Sequence, residues 1–268
     1  MENDRIEEKM IAYYTHYYKD ELGLIDYKER VTRRLQEEVN TESNISKLQA
    51  LFPFFCYPVN YQKILVLGGG TGGEFITFSQ RGYDAYTIEP NEEAAQIIKM
   101  KCAYYGFDEN KISTAMAERL PYADNFFDMV WSWTVLEHVK DIERSIKELC
   151  RVLKPGGWAF LSMPDMRQFW EGHYKLTLPM FLPKFLLKLL LRLKNRPTQF
   201  IDYGINKITT RRVRNILQHL NVDSMLLFHP WSKEWLDNRT FGMNLIYWTT
   251  VLVGIPHNQF WFLRKRES

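Results

Sequence analysis

Lys63-Ile64-Leu65-Val66-Leu67-Gly68-Gly69-Gly70-Thr71-Gly72-Gly73 is a short apolar run that stops abruptly in glycines, and a helical pattern follows it over residues 72–81. This is a strand feeding a tight turn that opens a helix, the nucleotide-cradling corner of an α/β sheet. A side chain in such a turn would keep the backbone from a ligand and would resist positive φ. Glu89 ends the next apolar run, Asp84-Ala85-Tyr86-Thr87-Ile88, and a carboxylate there can accept hydrogen bonds from both hydroxyls of a ribose. Gly68, Gly70 and Gly73 also satisfy G-x-G-x-x-G, with an acidic residue about 20 positions on, so these features alone leave a dinucleotide-binding oxidoreductase open.

Further segments follow in order. They are Ala117-Glu118-Arg119-Leu120-Pro121-Tyr122, then Asn125-Phe126-Phe127-Asp128-Met129-Val130, then Val135-Leu136-Glu137-His138-Val139, then Glu148 to Gly157 with Leu153-Lys154-Pro155-Gly156-Gly157 at its end. This succession closely resembles the class I S-adenosylmethionine-dependent methyltransferases of small-molecule type, over roughly residues 60–165. A nicotinamide-dependent dehydrogenase needs neither the Leu-Glu-His element nor the Lys-Pro-Gly-Gly turn.

Strands are predicted near 63–67, 84–88, 112–115, 128–133, 157–163, 222–228 and 259–263, and helices near 72–81, 91–105 and 141–153. Alternating strand and helix means a mostly parallel sheet with helices on both faces. With the resemblance, the expected fold is a Rossmann-like, doubly wound α/β sheet of seven strands. Residues 1–58 read as a helical N-terminal cap, and residues 59–268 as the cofactor-binding domain. Two apolar insertions interrupt that domain, at about 166–200 and 229–258.

The resemblance implies S-adenosyl-L-methionine as cofactor. Gly68, Gly70 and Gly72 would pass under its methionine part and ribose, and Glu89 would hold the ribose diol. Ala117 and Glu118 would lie at the adenine edge, and Trp133 and Thr134 would flank the methionine moiety. The tyrosines at 13, 14, 17 and 18 recur at helical spacing and could cover the site. Two positions depart from the family pattern: Val66 stands where an acidic residue is common, and Met116 where an aspartate commonly binds the adenine amine. These departures leave a non-catalytic adapter with the same fold as the alternative.

Methyl transfer is an in-line displacement at a sulfonium carbon, so the enzyme mainly positions the acceptor. A hydroxyl acceptor also needs a base, most often histidine near neutral pH. His138 falls just past the fourth strand and His173 at the start of the first insertion; either could serve, with Glu137 and Asp165 as weaker choices. No local run of His, Cys, Asp or Glu has metal-ligand spacing, and no catalytic metal is expected.

The chain has 268 residues, of which 46% are hydrophobic and 25% charged, enough for a large buried core. A net charge of +3 argues for no nucleic-acid partner. Cys56, Cys102 and Cys150 read as small apolar residues in a reducing compartment, and the charged N-terminus lacks an apolar leader core, so the expected location is the cytoplasm. No apolar run reaches membrane-spanning length. Lys184, Lys188 and Arg192 recur every four residues in a segment otherwise rich in leucine and phenylalanine, as in a basic amphipathic helix at an anionic membrane surface. The second insertion carries Trp231, Trp235, Phe241 and Trp248, and Trp261 follows beside Arg264, Lys265 and Arg266. Both insertions point to a small-molecule, glycan or lipid-linked acceptor, methylated at oxygen, at the inner face of a membrane.

Overall fold

The computed structural model of the chain describes residues 2–49, 62–167, 170–228 and 258–267, with Thr249, Leu252 and Ile255 between the last two. The N-terminal cap consists of α1 (Glu2–Thr15), a π-helical turn (His16–Glu21), α2 (Tyr27–Arg34) and α3 (Glu37–Gln49). The sheet domain follows as β1 (Lys63–Leu67), α4 (Gly73–Gln80), β2 (Asp84–Ile88), α5 (Glu92–Tyr105), β3 (Ile112–Ser113), β4 (Phe127–Trp133), α6 (Ile142–Val152) and β5 (Leu153–Pro164). Next come a hairpin of β6 (Trp170–Glu171) and β7 (Leu176–Thr177), and the helices α7 (Lys184–Leu193), α8 (Phe200–Tyr203) and α9 (Thr210–Leu217). The strands β8 (Val222–Phe228) and β9 (Asn258–Lys265) complete the sheet.

The seven strands lie in the order β3-β2-β1-β4-β5-β9-β8. Contacts from β3 through β5 are parallel, and β9 runs antiparallel to both neighbours. This is the expected doubly wound sheet. In β1, Ile64, Leu65, Val66 and Leu67 are all buried, as in a central parallel strand covered on both faces. One face packs Leu65, Val130, Leu161 and Leu263 against α6 and α9; the other packs Val66, Trp131, Phe160 and Phe262 against α4 and α5. Val66, which departs from the family pattern, is thus a core residue.

The helices start where their capping residues stand. Asn91, Asp141 and Thr209 each accept, through the side chain, from the amide three residues on, satisfying donors the first turn leaves free. Gly106, at φ 76°, ends α5. The fifth strand is longer than its apolar pattern suggested because Leu153 pairs with Phe127 ahead of an irregularity, so the Lys-Pro-Gly-Gly turn lies within β5.

The cap and the first insertion share one apolar cluster. Leu22 and Leu24 pack with Met166, which follows β5, and with Tyr174, Leu178, Leu187, Leu191 and Phe200. In α7 Lys184 and Arg192 are exposed and Lys188 is half-buried. Lys184 Nζ donates to the Asp202 carbonyl at 2.9 Å, and Lys188 pairs with the Asp202 carboxylate at 2.6 Å. Phe181, Phe185, Leu189 and Leu193, also four apart, form an exposed apolar stripe beside this basic row.

Trp261 is no interface residue: it is buried in β9 and its indole N–H donates to Gln259 at 2.9 Å. Lys265 Nζ is spent on the Cys150 and Leu153 carbonyls, and Arg266 on Asp223. Cys102 and Cys150 are buried free thiols, and burial raises the pKa of both. Cys56 and most of the second insertion lie outside the described residues. Among those described, no helix is long and apolar enough to cross a membrane.

Candidate active site

The glycine turn joins the carboxyl end of β1 to α4. Gly68, Gly70 and Gly72 have φ of 71°, 53° and 105°, where side chains other than glycine are disfavoured. At Gly68 a Cβ would meet Val135 Cγ2 at 2.5 Å, so the turn lies flush against the segment that follows β4. At Gly70 a Cβ would meet nothing within 4 Å, so the backbone here borders open space. Glu89 holds the turn in shape: one carboxylate oxygen accepts from Gly70 N at 2.7 Å, the other from Asn91 N at 2.9 Å. Burial raises its pKa, and these two amides oppose the rise.

The cap reaches this turn through Tyr14. Its hydroxyl lies 2.7 Å from Thr71 Oγ1 and donates to Glu37 at 3.1 Å, while Thr71 donates to Glu37 at 2.6 Å. Lys101 Nζ, buried in α5, neutralises Glu37 and Glu38 at 2.7 and 2.6 Å. Arg34 packs its guanidinium over the Tyr14 ring, 5.2 Å from its centroid, and donates to Tyr18. Tyr13 has its pKa raised by burial and then by the charge of Glu89. Glu74, in the first turn of α4, is pushed up to about 7 by burial, with the negative charge of Glu37 adding to the effect. The tyrosine helix was legible as a cover, but this ionic network was not. Its one sequence signal is Lys101, a charge on the apolar side of α5.

Thr134 directly follows β4. Its φ of 53° is costly for a β-branched residue, and its amide donates to Ser162 at 2.8 Å. It is exposed at the carboxyl edge. The Trp133 ring is half-buried, stacks with Trp131, 6.1 Å between centroids, and packs at a tilt against Phe160 and Phe260. Ala117 is buried beside Leu120 and Met116 is exposed. The Glu118 carboxylate accepts from the amides of Lys140 and Asp141, so it helps cap α6.

His138 and His173, singled out as alternatives, stand together. Their rings lie 5.1 Å apart in an edge-to-face arrangement, and Phe200 packs on both. His138 Nδ1 donates to the Gly204 carbonyl, which leaves Nε2 with its lone pair free when the ring is neutral. Burial, then the charge of His173, lowers the His138 pKa to about 4. His173 Nδ1 donates to Glu171 at 2.7 Å; burial works against its charged form, but Glu171 outweighs this and raises the pKa. Glu137 is fully buried, and neither carboxylate oxygen has a hydrogen-bond partner among the described residues. Burial pushes it up to about 7. Asp165, by contrast, is committed to Arg167 and Thr210.

Residues 65–161 match the family model described as a methyltransferase domain. The sterol 4-C-methyltransferase strm-1 of Caenorhabditis elegans is 35% identical over 118 residues, covering 41% of this chain and 35% of that protein. The demethylmenaquinone methyltransferase of Geobacillus kaustophilus is 25% identical over 183 residues, 66% of this chain and 71% of that protein. Phosphoethanolamine N-methyltransferase 2 of Haemonchus contortus, solved with S-adenosyl-L-methionine, shares the fold with a TM-score of 0.50 at 16% identity, over 83% of this chain and 53% of that one. The chain spans 35% to 40% of the length of the first curated relatives it matches. Glycine turn, strand order and family match together identify residues 65–161 as a class I S-adenosylmethionine-dependent methyltransferase domain.

Proposed function

We propose that the protein transfers the methyl group of S-adenosyl-L-methionine to a hydroxyl oxygen of a small-molecule, sugar or lipid-linked glycan acceptor. The observation that carries this reading is the Glu137–His138–His173 cluster at the end of β4, where Val135 also touches the glycine turn. The cofactor supplies an already activated methyl carbon. Gly68, Gly70, Gly72 and Glu89 would seat its methionine part and ribose, Ala117 would border the adenine, and Thr134 would lie beside the sulfonium. The Glu118 carboxylate, engaged at α6, would act there by positioning the turn rather than by direct contact.

The acceptor would sit beneath the layer built from α8 and the β6–β7 hairpin. Its oxygen would form the new bond to the methyl carbon as the sulfur–carbon bond breaks, with the electron pair going to sulfur. Its proton would pass to His138 Nε2, which is neutral near pH 7 because its pKa lies at about 4. Excluding water from this layer strengthens the alignment.

A second reading places the methyl group on carbon. It is favoured by the relatives named as C-methyltransferases, and the same base would ionise a hydroxyl conjugated to that carbon. Calorimetric binding of S-adenosyl-L-methionine tests the class. A mass-spectrometric search for a product one methyl group heavier, in cells with and without the protein, identifies the acceptor and its atom. Failure to bind the cofactor would favour the adapter alternative.

The stripe Phe181–Phe185–Leu189–Leu193 supports a peripheral location at the inner face of a membrane. Replacing Phe185, Leu189 and Leu193 with glutamate should abolish sedimentation with anionic liposomes. Wild-type protein that never sediments would defeat that location.

A further inference from the structure

The turn after β4 and the first insertion bring together donor groups that are far apart in the sequence. One nitrogen of His138, one of His173 and one oxygen of Glu137 all lie within 4.8 Å of one another. His138 Nε2 is 4.0 Å from Glu137 Oε1. That 4.0 Å separation is too long for a hydrogen bond. It is close to what a single ion needs: bonds of about 2.0–2.2 Å to nitrogen and oxygen set neighbouring ligands roughly 3–3.6 Å apart. Small inward movements of three side chains would close the difference.

The outer contacts match the same purpose. Each imidazole spends Nδ1 on a protein acceptor, His138 on the Gly204 carbonyl and His173 on the Glu171 carboxylate. Such contacts fix the ring and present the other nitrogen, as in metal-ligating histidines. Phe200 braces both rings. Glu137 supplies an independent observation: it is 0% exposed, and neither of its oxygens has a partner among the described residues. A buried carboxylate left without a donor is costly unless something binds it. Two imidazoles and one carboxylate form a borderline donor set, suited to first-row divalent ions and poorly suited to magnesium or calcium.

We propose that Glu137, His138 and His173 bind one divalent transition-metal ion, zinc by the chemistry of the donors. Three protein ligands leave at least one coordination position open. On the methyl-transfer reading, and resting on it, that position would hold an oxygen of the acceptor. His138 would then be a ligand rather than the proton acceptor; an ion held there would acidify the acceptor hydroxyl, whose proton would leave to water as its oxygen takes the methyl group.

The test uses the full chain, purified without chelators for metal counting, then stripped and titrated with cobalt(II) and zinc(II). The expected result is one equivalent of metal, visible-region cobalt(II) bands, and binding weakened about 10–100-fold or more in Glu137→Gln and in His173→Ala. Circular dichroism checks that both variants fold, and the near-isosteric Glu137→Gln keeps the test alive if His173→Ala does not. No cobalt bands and no bound zinc, or binding unchanged in the folded variants, would overturn the proposal. Calorimetry of S-adenosyl-L-methionine with the stripped protein separates the two readings. Cofactor binding without metal binding defeats the ion site alone, whereas metal binding without cofactor binding defeats methyl transfer and leaves the site standing.

Discussion

The two ends of the site differ in how their polar groups are satisfied. At the glycine turn, Glu89 has both oxygens engaged by backbone amides, and Glu37 gathers Tyr14, Thr71 and Lys101 around one buried carboxylate. At the end of β4, Glu137 lies equally deep with no donor among the described residues. The first end is shaped by its own hydrogen bonds before anything binds. The second carries an unmet electrostatic demand, as a place for variable chemistry should. Binding and chemistry should therefore separate under mutation.

The largest effect is expected at the unsatisfied end. His138→Ala should lower turnover by about 10²–10⁴-fold, whether the ring takes a proton or holds an ion, with cofactor affinity changed only a few-fold. Steady-state kinetics beside calorimetry checks it. A parallel loss of cofactor affinity would mean that the two ends are not separable.

Gly68→Ala should act through the fold. The new methyl group would lie 2.5 Å from Val135 Cγ2, at a φ of 71°. Strain and overpacking together should cost about 2–5 kcal/mol in urea denaturation. Adding Val135→Ala should recover the overpacking part, and no recovery would show that backbone strain alone matters.

The fold was legible because its signals are local. A strand-length apolar run, a glycine turn and capping residues each act over a few neighbours, so β1, α4, α5 and α6 fall where the sequence puts them. The candidate site was legible residue by residue but not as an arrangement. His138 and His173 were separate candidates because their approach depends on how the insertion folds back. Nothing local shows that the Glu118 carboxylate accepts from the amides that lead into α6. Trp133 packs against Trp131, Phe160 and Phe260 because the sheet brings β5 alongside β4 and β9 alongside β5, pairings that sequence neighbours do not reveal.

Glu89→Ala sharpens the comparison from the satisfied end. Removing the carboxylate leaves the Gly70 amide without its acceptor and takes away the group that would hold the ribose. Cofactor binding should weaken by about 1–3 kcal/mol while turnover at saturating cofactor stays near wild type. An unchanged dissociation constant would mean that the ribose is held elsewhere.

The smallest effect concerns Glu74, whose burial outweighs the opposing charges of Arg34 and Lys101. Its carboxyl is pushed up to about 7 in the folded chain, from the ordinary value of 4.5. Between those values the folded state binds more protons than the unfolded state, so this group makes stability fall as pH rises from about 4.5 through about 7. Glu74→Gln removes that slope. The variant should be more stable than wild type at pH 8, and the difference should vanish as pH approaches 4.5. Denaturation midpoints across this range give the measurement. A difference that stays constant with pH would mean that Glu74 is ionised in the folded chain throughout. The cap would then be leaving it enough solvent, or a cation, to keep its charge.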